Sequence, residues 1–339
     1  MSQPDPLSEA LRSVQLSGAI FLDAELSAPW GFAAPPASTG AHLIAPSAEH
    51  LVLFHLLIDG EASARLPGQA RLPLAAGDIA VLPMGDAHEL WNGRVSRLTD
   101  SSALLPRILA EGTVAERGGG GGRLTKFICG YIGCDRLARR LFLSGLPPLF
   151  KVNIRRGPSG AWIESTIRHL AAERGPAIAG RSALLAKLAE ALFIETLRLY
   201  MADLPRQRTG WLAAARDPAV GAALGAVHRD PASAWTVASL AARSGLSRTV
   251  FAERFSRLLG EAPLAYVARC RMQLGARLLE TTDEPVLQVA LNAGYESEAA
   301  FNRAFKREFD LPPARYRTLR RSTPRAAATP PGSGPAAAR

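Results

Sequence analysis

The stretch Ala300–Arg317, AFNRAFKREFDLPPARYR, decides how the last third of this chain folds. Phe301, Phe305 and Phe309 recur at intervals of four, which lines three rings along one side of a helix. Asn302, Arg303, Lys306 and Arg307 fall between them, giving that helix an apolar spine and a basic outer face. The stretch closes a unit that occurs twice: TVASLAARSGLSRTVFAERFSRLLG at Thr236–Gly260, then PVLQVALNAGYESEAAFNRAFKREFD at Pro285–Asp310. Ala241 precedes Gly245 as Ala290 precedes Gly294, and Ser247, Phe251 and Phe255 return as Ser297, Phe301 and Phe305. The small residue lets two helices cross closely. The glycine takes the left-handed conformation that ends the first helix. Leu246 or Tyr295 fills the corner, and the serine caps the next helix. The spacing therefore predicts two helix-turn-helix motifs.

Turning half a helical revolution from the phenylalanines gives the outward residues. They are Arg248, Thr249 and Glu253 in the first copy, and Glu298, Asn302, Arg303 and Lys306 in the second. Such side chains suit base edges in a major groove: Arg pairs with guanine, Asn with adenine, and Glu accepts from cytosine. Arg254, Arg257 and Arg307 lie on the flanks, where phosphate contact is expected. The connector PLAYVARCRMQLGARLLE, residues 263–280, reads as one helix packed on both copies, with Arg269, Arg271 and Arg277 along it. A rigid connector of this kind would hold two recognition helices about one DNA turn, ~34 Å, apart.

Charge agrees with a polyanionic partner. Of the net +10, residues 232–339 contribute +7, with 16 Lys and Arg against 9 Asp and Glu. The 47% hydrophobic content supports globular cores, and at 339 residues two domains are expected. No apolar run reaches the ~18 residues of a membrane span. The N-terminus lacks the basic and apolar regions of a signal peptide, so a cytoplasmic protein without a membrane partner is expected. Three cysteines, Cys129, Cys134 and Cys270, form no disulfide framework.

Residues 42–130 read as short strands broken by Gly, Pro and Asp. Residues 159–203 change to helical period. Leu184, Leu185, Leu188, Leu192 and Phe193 form a broad stripe, wider than packing on a small barrel requires, so these helices are expected to dimerise. Pro205 and Gly210 mark a boundary, and the Pro/Gly/Ala-rich tail from 321 to 339 is expected to be disordered.

The double motif and the ending Pro313-x-x-Tyr316-Arg317 resemble the AraC/XylS family of bacterial transcription regulators over residues 232–317. The chain departs from that pattern with Asp310, where glycine is frequent, and with Glu253 at a position basic in some members. The N-terminal half is similar to a cupin-type sensor. In GDIAVLPMGDAHELWN, residues Gly77, Pro83, Gly85, His88 and Asn92 match the second cupin motif. The resemblance implies an α+β chain. A cupin-like jelly-roll barrel (about 15–135) and a helical dimerisation segment (159–203) make up a domain at 1–203. A linker at 204–215 leads to an all-α domain at 216–320, with two helix-turn-helix motifs joined by a linker helix. It also implies double-stranded DNA, a small-molecule effector of unknown identity and a second copy of the chain as partners, and it accommodates contact with RNA polymerase.

The first cupin motif leaves two registers. Counting from His55 through Leu57 and Glu61 to Gly68 would retain metal ligands. Taking Gly60 as the closing glycine places Leu53 at the Glu position and removes most of them, and this register is preferred. His55 shares parity with Leu53 and should face inward with Cys129. His55, His88 and Cys129 thus form either a partial zinc-like set or, preferably, hydrogen-bonding groups in a ligand pocket. No cofactor, metal or catalytic residue is assigned. The reading is a sequence-specific DNA-binding regulator modulated by a ligand; whether it activates or represses stays open. The alternatives are a metal-dependent cupin enzyme fused to a DNA-binding module, and a charge-driven non-specific binder.

Overall fold

In a computed structural model, residues 5–46, 48–173, 179–205 and 207–322 are described. The expected disordered tail lies, beyond Ser322, outside these residues. The chain divides into two compact units.

One unit is built on two sheets. The first has strand order β11-β6-β3-β10-β1-β9, from β1 (Leu16–Ser27), β3 (His50–Asp59), β6 (Asp78–Leu82), β9 (Val114–Gly119), β10 (Leu124–Cys134) and β11 (Phe150–Asn153). The second has order β5-β4-β7-β2-β8, from β2 (Trp30–Ala34), β4 (Glu61–Arg65), β5 (Leu72–Ala75), β7 (His88–Asn92) and β8 (Thr99–Asp100). The result is jelly-roll-like, with the sheets not closed on each other. Alternate residues of β1, Leu22, Ala24 and Leu26, are buried with Leu57, Leu90 and Phe127 in a shared core, as period-two packing requires. Gly60 turns β3 into β4 at φ 79°, and a Cβ there would lie 2.3 Å from the Leu124 carbonyl oxygen, so only glycine fits. This agrees with the preferred register. In the other register Glu61 would be a ligand, but it is exposed and pairs with Arg123 at 3.3 Å.

Helices α2 (Ala41–Ile44), α3 (Leu105–Glu111) and α4 (Arg136–Ala138) are short connections, whereas α6 (Arg181–Asp203) packs on β1, β10 and β11 of the first sheet and α5 (Pro158–Ala172) packs on α6. Here an expectation changes. Leu188 and Leu192 are 6% and 0% exposed because α6 lies directly on β1. At Gly18 the approach is so close that a Cβ would lie 2.5 Å from the Ala186 carbonyl oxygen. Leu185, Leu188, Leu192 and Phe193 of the stripe are thus buried within the unit, and Leu184 alone of the five is left exposed. Among the described residues, Trp162 and Leu184 are the large apolar side chains that remain exposed on α5 and α6, at 64% and 48%.

The other unit holds α7 (Trp211–Arg216), α8 (Pro218–Arg229), α9 (Val237–Arg243), α10 (Arg248–Leu259), α11 (Pro263–Thr281), α12 (Val286–Asn292), α13 (Glu298–Phe309) and α14 (Pro313–Ser322). It also takes in the segment ending at Gln15 and the segment Arg140–Gly145, which the sequence places in the N-terminal region. Helix α1 (Pro6–Ser13) buries Leu7 and Ala10 against α8, and Glu9 accepts from Arg229 at 3.0 Å. Phe142 meets Trp211 edge to face. The expected linker at 204–215 contains α7, with Trp211 and Leu212 each 5% exposed.

Both helix-turn-helix motifs form as the spacing predicts. Gly245 and Gly294 take φ 64° and 82°, and Ser247 and Ser297 accept from the backbone N–H of Val250 and Ala300. Ala241 and Ala290 are buried at the helix crossings. Phe301 and Phe305 are fully buried with Met272, Leu279 and Tyr316, and Phe309 packs against the same core. The ending Tyr316-Arg317 is structural: Tyr316 donates to Glu280 Oε1 at 2.8 Å and Arg317 to the Glu284 carbonyl at 2.5 Å.

Candidate functional site

Two sites emerge, one in each unit. In the barrel, His55 on β3 and Cys129 on β10 are direct cross-strand partners, and His88 reaches them from β7 in the facing sheet. His55 Nδ1 lies 2.7 Å from Cys129 Sγ, and its Nε2 lies 2.7 Å from His88 Nε2. His88 Nδ1 is 2.9 Å from the Asp86 carbonyl oxygen. That last contact sets every proton, because a carbonyl only accepts. His88 Nδ1 must carry a hydrogen, so its Nε2 accepts from His55 Nε2–H. His55 Nδ1 then accepts from the Cys129 thiol. Three groups, all neutral, thus form one closed chain of donors and acceptors.

Burial enforces the neutral forms. It lowers His55 well below the ordinary imidazole value, with His88 adding repulsion, and lowers His88 against the opposing pull of the Asp86 carbonyl and carboxylate. It raises the Cys129 thiol far above its ordinary value, so this is no thiolate. Nor do the three converge on a point, since His55 sits between the others and spends one ring nitrogen on each. Among the described residues no group of three or more His, Cys, Asp or Glu is placed to hold a metal ion.

These side chains floor a cavity of about 170 Å³. Its walls include Phe21, Phe32, Leu90, Leu105 and Ile108, none of which sequence reasoning selected. They come from strands and a helix remote in sequence, and apolar residues give no local sign of which cavity they border.

The second site is the outer face of α10 and α13. Arg248, Thr249, Glu253 and Arg257 are exposed on α10, and Glu298, Arg303, Lys306 and Arg307 on α13. Among the described residues Arg248, Arg257, Arg303, Lys306 and Arg307 make no ion pair or hydrogen bond. Other arginines of the unit are occupied. Arg269 is held by Glu261, Arg271 donates to the carbonyls of Pro231 and Ser233, and Arg277 donates to that of Arg12.

Two expected contact residues differ. Arg254 does not flank the face freely: its Nε and Nη2 close on Asp217 Oδ2 at 2.9 and 2.6 Å, while Asp217 caps α8. Asn302 is half-buried with its Oδ1 unpartnered, because it sits at the edge of the phenylalanine spine rather than opposite it. Arg315 on α14, which sequence reasoning passed over, is exposed and makes no ion pair among the described residues.

Comparison with known proteins gives two family matches, a cupin model over residues 5–202 and a helix-turn-helix model over 240–319. The transcriptional regulator AlkR of Acinetobacter baylyi is 29% identical, over 92% of this chain and 99% of its own. A protein of Streptomyces lividans described as an AraC-like transcription regulator is 32% identical, over 80% of this chain and 88% of its own. The solved DNA-binding domain of the transcriptional factor AdpA is 35% identical, covering 31% of this chain and 95% of that one, with a TM-score of 0.30.

Proposed function

The chain belongs to the AraC-like transcription regulators, with a cupin domain ahead of a helix-turn-helix domain, and we propose that a small effector in the barrel cavity controls how it engages promoter DNA. It is a DNA-binding transcription regulator. The observation that carries the DNA surface is the set of five unpaired basic side chains on α10 and α13, in a unit whose other arginines are largely tied down.

On α13, Arg303 is the base reader, with Lys306 beside it and Arg307 on phosphate. Arg248 and Thr249 play the corresponding part on α10, with Arg257 on phosphate. Glu253 and Glu298 repel phosphate and so favour a base edge that donates. The effector lies above His55, His88 and Cys129. A second copy of the chain docks through the exposed Trp162 and Leu184, which lets the protein bind repeated half-sites. No helix among the described residues is long and apolar enough to cross a membrane. The protein acts in the cytoplasm, where promoter and RNA polymerase are at hand.

Selection of bound fragments from the source genome with the full-length protein tests this reading. Specific fragments should survive excess random duplex; uniform retention of all fragments would leave only charge-driven binding.

A further inference from the structure

The effector reading leaves open what kind of molecule the cavity takes, and the inference below rests on that reading. Among the described residues, no Lys, Arg, Asp or Glu borders the cavity. Its body is carbon: Phe21, Phe32, Leu90, Leu105, Ile108 and Phe127. Polar side chains other than the floor are Thr39, Ser101 and Ser102, and Ser102 is exposed.

The floor looks polar by composition but offers little to a ligand. His88 Nδ1 is spent on the Asp86 carbonyl, His88 Nε2 on His55, and His55 Nδ1 on the Cys129 thiol. No ring nitrogen is left to donate to or accept from a ligand. A ligand carboxylate or phosphate would therefore be buried with no counter-ion and with no side-chain donor other than the hydroxyls of Thr39, Ser101 and Ser102, which is unfavourable. An ammonium would meet no carboxylate. Hydrocarbon displaces nothing it must replace.

We propose that the barrel cavity takes an uncharged, carbon-rich molecule whose hydrocarbon body packs on the closed Cys129–His55–His88 chain and whose one polar group, if present, sits towards Ser101 and Ser102. Size follows from volume. A dry apolar cavity of roughly 150 Å³ holds benzene, so about 170 Å³ takes a body somewhat larger than that ring, with more chain where the mouth opens.

The test uses full-length protein and three probes of one chain length: octan-1-ol, octanoate and octylamine. Binding is read by calorimetry and by the shift in melting temperature. Octan-1-ol should bind about tenfold or more tightly than either ion. Leu104→Trp, which fills the cavity from its half-buried rim, should abolish that binding. Ser101→Lys, beside the exposed Ser102, should recover octanoate while keeping the fold. Equal or tighter binding of octanoate or octylamine to the unaltered protein would overturn the ligand class, and so would failure of all three to bind. If octan-1-ol binds as expected but DNA affinity does not change with occupancy, the class stands and control of DNA by the cavity falls.

Discussion

The hydroxyl of Tyr266 donates to His228 Nε2 across 2.6 Å while accepting the indole N–H of Trp211 at 2.7 Å. The arrangement ties α7, α8 and α11 together inside the helical unit, and it requires His228 to be neutral. Burial above all, then the Arg269 charge, pushes His228 down to about 4, against a smaller opposing pull from Glu9.

This gives a pH dependence with a definite sign. Between pH 6.5 and about 4 the unfolded chain binds a proton at His228 that the folded one refuses. Stability is therefore full above pH 6.5 and falls as the pH drops towards 4, by up to about 3 kcal/mol from this residue. Denaturant titration across that range should show the loss, and His228→Gln, which keeps an acceptor for Tyr266, should remove this component. An unchanged slope in the variant would place the titration elsewhere.

Arg303→Ala should weaken binding to the preferred operator by about 1–3 kcal/mol and relax discrimination at one base pair. Arg307→Ala should weaken all duplexes alike and lower the salt slope by roughly one unit. Neither should disturb folding, since both side chains are exposed and have no partner among the described residues. Titrations against operator and scrambled duplex separate the two; equal losses on both duplexes for Arg303→Ala would assign it to phosphate.

Arg254→Ala should behave differently from either. Its partner is Asp217, and the pair is partly open to solvent, so the loss is modest, about 1 kcal/mol or less. A melting temperature lowered by a few degrees with an unaltered salt slope is expected. A reduced slope with unchanged melting would restore the phosphate contact.

Leu192→Asp should cost several kcal/mol and cripple the barrel unit, because the side chain is fully buried on the face of α6 that packs on β1. Trp162→Glu should instead leave circular dichroism unchanged and shift sedimentation from dimer to monomer. A folded dimer in that variant would move the interface off α5.

Asp310→Gly should stabilise the second motif. Asp310 is the one non-glycine residue at positive φ among the described residues, at 58°, and it ends α13 as Gly260, at 74°, ends α10. Left-handed backbone costs most residues about 1–2 kcal/mol, and Asp tolerates it better than most. The expected gain is a few tenths to about 1 kcal/mol in thermal melting, with DNA affinity unchanged; a loss would show that the Asp310 side chain stabilises the cap.

The sequence by itself determined the helix-turn-helix pair, because every element of that motif is local. A small residue, a left-handed glycine, a serine cap and phenylalanines at intervals of four specify their own geometry over about 25 residues. Strand parity with Leu53 also predicts that His55 faces inward, with Cys129 expected beside it, and the resemblance to the second cupin motif is what implies that His88 points there too. Tertiary structure alone decided what those groups do there. The Asp86 carbonyl sets the tautomers, and the closed chain that follows turns apparent ligand groups into an inert floor. It alone showed which arginines are free, because the partners lie far along the chain: Asp217 is 37 positions from Arg254. It alone assigned α1 to the helical unit and covered the α6 stripe with β1. Periodicity reveals that a helix has a face to bury; only the packed chain supplies the surface that buries it.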